Sequence, residues 1–155
     1  MAIEPEELPS ANIRAPAYYI ARARTPCPHC RAITTVTALA LGPGHEIWDD
    51  DKEGWHSVPA NAFLFHLAAV SLAVHARLTR AAPNLTFDSC WTNHCEHCQA
   101  RLDDQFVHGE PGSGFTPLNE DAAAEILLTE IVEPFEASAA GYSLEPEFFS
   151  RMARR

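Results

Sequence analysis

Apolar and polar residues alternate through residues 17–24, Ala-Tyr-Tyr-Ile-Ala-Arg-Ala-Arg, the two-residue period of a strand. Thr25-Pro26 closes that segment. Residues 31–41, Arg-Ala-Ile-Thr-Thr-Val-Thr-Ala-Leu-Ala-Leu, are rich in Ile, Thr and Val, which is strand composition. Between the two lies a pair of cysteines, so the segments read as a hairpin with the pair at its tip. A different period follows. Phe63, Leu67, Val70, Val74 and Leu78 recur at helical spacing, and the pattern predicts a helix over 61–82, started by Asn61 and ended by Pro83. Its opening, Ala62 to Leu67, also fits a short strand leading into a helix from about Val70.

The remaining segments carry weaker patterns. Residues 42–59 read as a loop, punctuated by Gly42, Pro43, Gly44, the run Asp49-Asp50-Asp51 and Pro59. Residues 84–92 read as extended chain entering a second cysteine pair. Residues 101–108 alternate imperfectly and predict a strand, and 109–117 a turn. From Asn119, Ala and Glu favour a short helix, and the β-branched run beyond it a strand with Pro134 at its edge. The last segment, Glu145 to Arg155, predicts a terminal helix docked by Phe148 and Phe149. Residues 1–15, with two prolines and no period, read as a flexible leader, and 16–155 as a single domain, a size that suits one hydrophobic core.

Charge narrows the partners. The chain has 21 acidic and 11 basic residues, for a net charge of −10. That balance disfavours a duplex, whose phosphates must be neutralised by Lys and Arg, and suits a basic protein partner. Arg14, Arg22, Arg24 and Arg31 do gather near the first cysteine pair, with Tyr18, Tyr19 and Trp91 as possible stacking partners, so a nucleic-acid-binding role stays as the alternative. The N-terminus is acidic and lacks the apolar core of a secretory signal. The longest apolar tract, Ala62 to Val74, falls short of the ~20 residues of a membrane span. The expectation is a soluble, cytoplasmic protein with no membrane association.

In a reducing compartment five cysteines do not imply disulfides. Four of them form two C-x2-C pairs, Cys27-Pro28-His29-Cys30 and Cys95-Glu96-His97-Cys98. Each spacing lets one tight turn aim two sulfurs at a common point. Two such turns provide four thiolates, the donor set of tetrahedral zinc, and leave no coordination position for water. A closed site of this kind is structural. The expectation is therefore one structural Zn2+ held by Cys27, Cys30, Cys95 and Cys98.

Rival chemistries fit less well. Thiol–disulfide exchange through Cys-Pro-His-Cys wants a helix after the first cysteine, where its N-terminus lowers the thiol pKa; strand-like sequence follows here. A zinc deaminase places His-x-Glu before Pro-Cys-x-x-Cys, and the order here is reversed. His29, His94 and His97 sit inside or beside the pairs, where a side chain normally points away from the metal. Cys90 lies out of register with either turn and reads as a free thiol. Nucleophile, base and phosphate-loop patterns are missing, and the balance leans away from an enzyme. A module for protein–protein interaction, an adaptor or an inhibitor of a basic partner, is the leading expectation. Arg22, Arg24, Arg31, Trp91 and His97 are the candidate partner contacts.

The stretch Trp91-Thr92-Asn93-His94-Cys95-Glu96-His97-Cys98-Gln99-Ala100, followed by Asp104-x-Phe106-x-His108 and Glu110-Pro111-Gly112, resembles bacterial four-cysteine zinc-ribbon proteins of uncharacterised function. The resemblance implies the same four cysteines as ligands. Together with the patterns above it implies an α+β fold: zinc-ribbon-like antiparallel hairpins, a helix inserted between the two knuckles, and a C-terminal helix. One feature departs from the usual knuckle. Glycine often follows the second cysteine, where the backbone turns left-handed. Arg31 and Gln99 hold those positions here, and a non-glycine residue can adopt that conformation at some cost.

Overall fold

The computed structural model describes residues 11–88, 90–112, 114–144 and 149–154. The chain is mainly β. Its strands are β1 (Ile13–Ala15), β2 (Tyr18–Pro26), β3 (Ile33–Leu41), β4 (His45–Asp49), β5 (Gly54–Val58), β6 (Ala62–Val70), β7 (Leu85–Asp88), β8 (Cys90–His94), β9 (Arg101–Leu102), β10 (Leu127–Ile131), β11 (Phe135–Leu144) and β12 (Ala153–Arg154). Three short helices join them: α1 (Leu72–Ala81), α2 (Asp104–Gly109) and α3 (Glu120–Ala123). Nine strands form one sheet in the order β12-β10-β2-β3-β6-β11-β1-β4-β5, and β7-β8-β9 form a second. All pairings are antiparallel except β10 with β12.

The central strands of the large sheet are covered on both faces. Tyr18, Ile20, Leu39 and Leu41 point into one core, where Val74 and Leu78 of α1 and Trp91 of β8 meet them. Their neighbours Ala21, Ala23, Val36, Ala38 and Ala40 point into the other, closed by Val107, Phe115, Phe149 and Met152. Phe63 anchors this second core, with its ring 5.2 Å from that of Phe115 and 5.8 Å from that of Phe149. Cys27 and Cys95 belong to the same cluster, so the cysteine site is built on the margin of a core.

Burial on both faces explains the main departure from the sequence pattern. Residues 62–70 form strand β6, not the first half of a helix. Ala62, Phe63 and Leu64 are all buried, and a strand covered on both sides loses its polar alternation and reads as an apolar run. The helix begins only after Ser71, whose hydroxyl accepts from the Val74 N–H at 3.5 Å. The short strand leading into a helix, open as an alternative above, is the arrangement found. Strands β2 and β3 pair from Tyr19↔Ala40 to Pro26↔Ile33, and their hairpin carries the first cysteine pair as expected.

Other expectations are corrected. The loop expected over 42–59 is the hairpin β4–β5; its acidic run forms the tip, and Trp48 and Trp55 pair across it with rings 5.7 Å apart. The strand expected over 101–108 is two residues of β9 followed by α2, started by Asp103, whose carboxylate accepts from the Phe106 N–H at 2.9 Å. Residues 135–144 form β11, for which the sequence carried no strand signal. The expected C-terminal helix is, among the described residues, one 3-10 turn at Phe149–Arg151 and the two-residue β12; Phe148 and its three predecessors lie outside them. Of the expected leader, residues 1–10 lie outside the described residues and Ile13–Ala15 is strand β1 within the sheet. Asn119 starts α3 and β10 follows, as the composition suggested. Among the described residues no helix is long and apolar enough to cross a membrane.

Candidate metal centre

The two C-x2-C pairs occupy turns of matching construction. In the first, between β2 and β3, the Cys27 N–H donates to Ala32 O at 2.9 Å and the Arg31 N–H to Cys27 O at 2.9 Å. In the second, between β8 and β9, the Cys95 N–H donates to Ala100 O at 2.9 Å and the Gln99 N–H to Cys95 O at 3.1 Å. The amides of His29 and His97 each donate to the sulfur two residues before them, both at 3.3 Å. Arg31 (φ 69°) and Gln99 (φ 65°) take the left-handed conformation, as their position after the second cysteine requires. The knuckle geometry is kept without glycine.

These turns bring four sulfurs together across 64 intervening residues and from both sheets. The Sγ atoms of Cys27, Cys30, Cys95 and Cys98 all lie within 4.8 Å of one another. The pairs Cys27–Cys98 and Cys30–Cys95 are 3.7 Å apart. A disulfide holds its sulfurs at about 2.05 Å, so these are not cystines. Four zinc–sulfur bonds of about 2.3 Å in a tetrahedron put the sulfurs about 3.8 Å apart. The observed spacing therefore fits one metal ion at the centre, and the all-thiolate donor set suits zinc. Cys27 and Cys95 are buried; Cys30 and Cys98 face solvent.

The thiols alone are electrostatically frustrated. The backbone N–H of Cys98, ahead of desolvation acting the other way, holds the Cys95 thiol down at about 6, helped by the N–H of His97. Desolvation pushes Cys27 up, but the N–H groups of Cys30 and His29 outweigh it and leave that thiol below its ordinary value. Cys98 is pushed up to about 11: the Ala100 N–H pulls it down, and desolvation with the sulfurs of Cys27, Cys30 and Cys95 more than reverses that pull. The turns thus stabilise the first thiolates to form, and those charges oppose the last. A divalent cation at the centre removes the opposition and lets all four ionise.

The other candidate residues are dispersed. Trp91 is only 4% exposed and lies in the first core, with its ring 5.0 Å from that of His75 and 5.7 Å from that of Phe87. Little of its surface faces solvent. Arg22 donates to Ala81 O at 3.0 Å and holds the end of α1. Arg24 and Arg31 are exposed. His97 is exposed, with its Nε2 on Ile33 O at 2.9 Å. His94 Nδ1 meets Thr86 Oγ1 at 3.3 Å, away from the sulfurs. Cys90 stands outside the cluster beside Thr92 Oγ1 at 3.5 Å.

Asn93 is the important residue that the sequence pattern missed. It is buried two positions before Cys95, and its amide accepts from the Thr37 N–H at 2.8 Å and donates to Thr37 O at 2.9 Å. Its sequence signals are its place in the tract that resembles zinc-ribbon proteins, which gives it no role, and the presence of an Asn, a poor strand former, inside an apparent strand.

The left-handed residues generate a prediction. Gln99→Gly relieves the steric cost of that conformation, about 1–2 kcal/mol for an L-residue, against an entropic loss of about 0.5–1 kcal/mol. It is expected to keep metal binding and leave the melting temperature unchanged or higher. Gln99→Val, β-branched at the same φ, is expected to lower it by several degrees. Thermal melts of the two metal-loaded variants decide; equal losses in both contradict the left-handed turn as the constraint.

No protein-family model, curated protein or solved structure matches this chain. The resemblance of residues 91–115 to bacterial zinc-ribbon proteins thus extends no further than the four-cysteine cluster, and no family is assigned.

Proposed function

We propose that this chain is a structural zinc-binding module whose metal fastens the three-stranded sheet to the nine-stranded one. The observation that carries the proposal is the single cluster of four sulfurs, two from each sheet. With four thiolates the ion has no open position for water or substrate, so its work is mechanical. The chain residues provide the rest: paired backbone amides spread the thiolate charge, and the margin of the second core limits solvent access to Cys27 and Cys95. Because the ligands come from distant parts of the chain, the free energy of metal binding is free energy of folding.

The module serves protein–protein interaction, as an adaptor or an inhibitor of a basic partner in the reducing cytoplasm. Net charge supports the sign of the partner: 21 acidic against 11 basic residues give −10, which attracts a basic surface at long range and weakens with salt. The nucleic-acid reading loses two of its supports, since Trp91 is buried and Arg22 is engaged with α1.

Purified protein is expected to carry one zinc per chain by elemental analysis. Cys95→Ser, which removes a fully buried ligand, is expected to lose that zinc and to unfold or melt at a far lower temperature. A zinc-free variant as stable as the parent contradicts the structural role. For the partner, capture from native lysate is expected to retain a basic protein at low salt and release it as salt rises. Retention indifferent to salt contradicts charge-led recognition.

A further inference from the structure

Over residues 33–38, strand β3 has, among the described residues, a strand neighbour on one side only. Strand β2 pairs with it from Ile33 to Ala40, while β6 reaches it only at Leu39–Leu41. In an antiparallel ladder alternate residues direct their N–H and C=O groups to opposite sides. Residues 33, 35 and 37 share the side that β6 leaves open, beside the second knuckle. Such groups need partners when another layer covers them.

Side chains of the second knuckle supply those partners. Asn93 engages both backbone groups of Thr37, accepting from its N–H at 2.8 Å and donating to its O at 2.9 Å. Glu96 Oε2 accepts from the Thr35 N–H at 3.4 Å. His97 Nε2 lies 2.9 Å from Ile33 O; a carbonyl only accepts, so that nitrogen carries the proton. The Glu96 N–H also donates to Thr34 Oγ1 at 3.0 Å. The contacts fall on every second residue of β3, where the next strand would bond. Three side chains stand in for that strand.

We infer that Asn93, Glu96 and His97 are positioning residues for the metal. Their side chains act on backbone groups of β3 and not on a sulfur; the one contact of these residues with a sulfur is through the His97 main-chain N–H, on Cys95 Sγ at 3.3 Å. They hold the second knuckle on the open edge of β3 at the register in which Cys95 and Cys98 meet Cys27 and Cys30, and so raise the affinity of the site. The inference rests on the zinc reading proposed above. Without these contacts, binding the ion also has to order one knuckle against the other, and the affinity falls by the population of the aligned state. Coupling is reciprocal: metal binding in turn protects the edge contacts of Thr35 and Thr37.

The test uses the full chain and zinc alone, with affinity read by competition against a chelator of known affinity. Glu96 and His97 are exposed, so the double variant Glu96→Ala/His97→Ala leaves both cores intact. It is expected to bind zinc about 10–100-fold more weakly, the usual effect of removing groups that orient ligands. Glu96→Gln/His97→Gln retains an acceptor for Thr35 and a donor for Ile33, and is expected to recover most of the loss. Cobalt at saturation is expected to give the same d–d spectrum in all three proteins, since the four sulfurs are unchanged. Exchange of the Thr35 amide is expected to slow on metal addition in the parent and not in the double variant. If the double variant does not fold, Glu96→Ala alone is expected to weaken zinc and Glu96→Gln to restore it. Parent affinity in the alanine variants, or an altered cobalt spectrum, overturns the inference and leaves the zinc site standing. A parent chain that takes up no zinc overturns the metal reading itself.

Discussion

Four cysteine sulfurs, drawn from two sheets and held no more than 4.8 Å apart, set the terms for the rest of this molecule. Backbone amides make ionisation easy for Cys95, and at Cys98 desolvation with the three neighbouring sulfurs outweighs the pull of the Ala100 amide and makes it hard. A divalent ion at the centre satisfies both at once. The strands of the small sheet β7-β8-β9 are four, five and two residues long, so it has little apolar surface of its own to bury. It and its knuckle meet the large sheet through the sulfurs, through the hydrogen bonds of Asn93, Glu96 and His97 to β3, and through the packing of Leu85 and Trp91 in the first core and Leu102 in the second. A metal ion held by the four sulfurs would be a link much stronger than an ordinary contact.

Side-chain amides recur as substitutes for strand backbone. Asn93 completes the edge of β3. On the far side of β6, Asn12 donates to Ala139 O of β11 at 2.8 Å and accepts from the Ala139 N–H at 3.0 Å. That contact falls where the register of β11 against β6 shifts between Ser138 and Ala139. An Asn side chain presents an N–H donor and a carbonyl acceptor side by side, as a peptide group does. It can therefore fill a gap in a ladder where the chain itself cannot run. The short elements of this fold leave such gaps, and Asn closes two of them.

The cysteine pairs were legible in the sequence because their constraint is local: two residues between two sulfurs set a turn, whatever surrounds it. The β2–β3 hairpin was legible for the same reason, through its composition and the proline that closes β2. What could not be read depends on distant neighbours. Strand β6 lost its alternation because cores lie on both of its faces. Strand β11 is built largely of Ala, Ser and Gly, small residues that carry little apolar signal, and it is placed by β6 and β1. The β4–β5 hairpin is half exposed, with an acidic tip, and resembles a loop until Trp48 is seen opposite Trp55. Trp91 seemed available beside the knuckle and is buried because α1 packs over it. The roles of Asn93, Glu96 and His97 were illegible because they answer to a gap between β3 and β6, which no local pattern announces.

X-ray absorption at the zinc edge of the purified protein tests the central claim most directly. Four sulfurs at about 2.3 Å around one zinc, with no nitrogen or oxygen in the shell, is the predicted result. A mixed shell, or sulfur counts below four, contradicts a closed ion joining the two sheets.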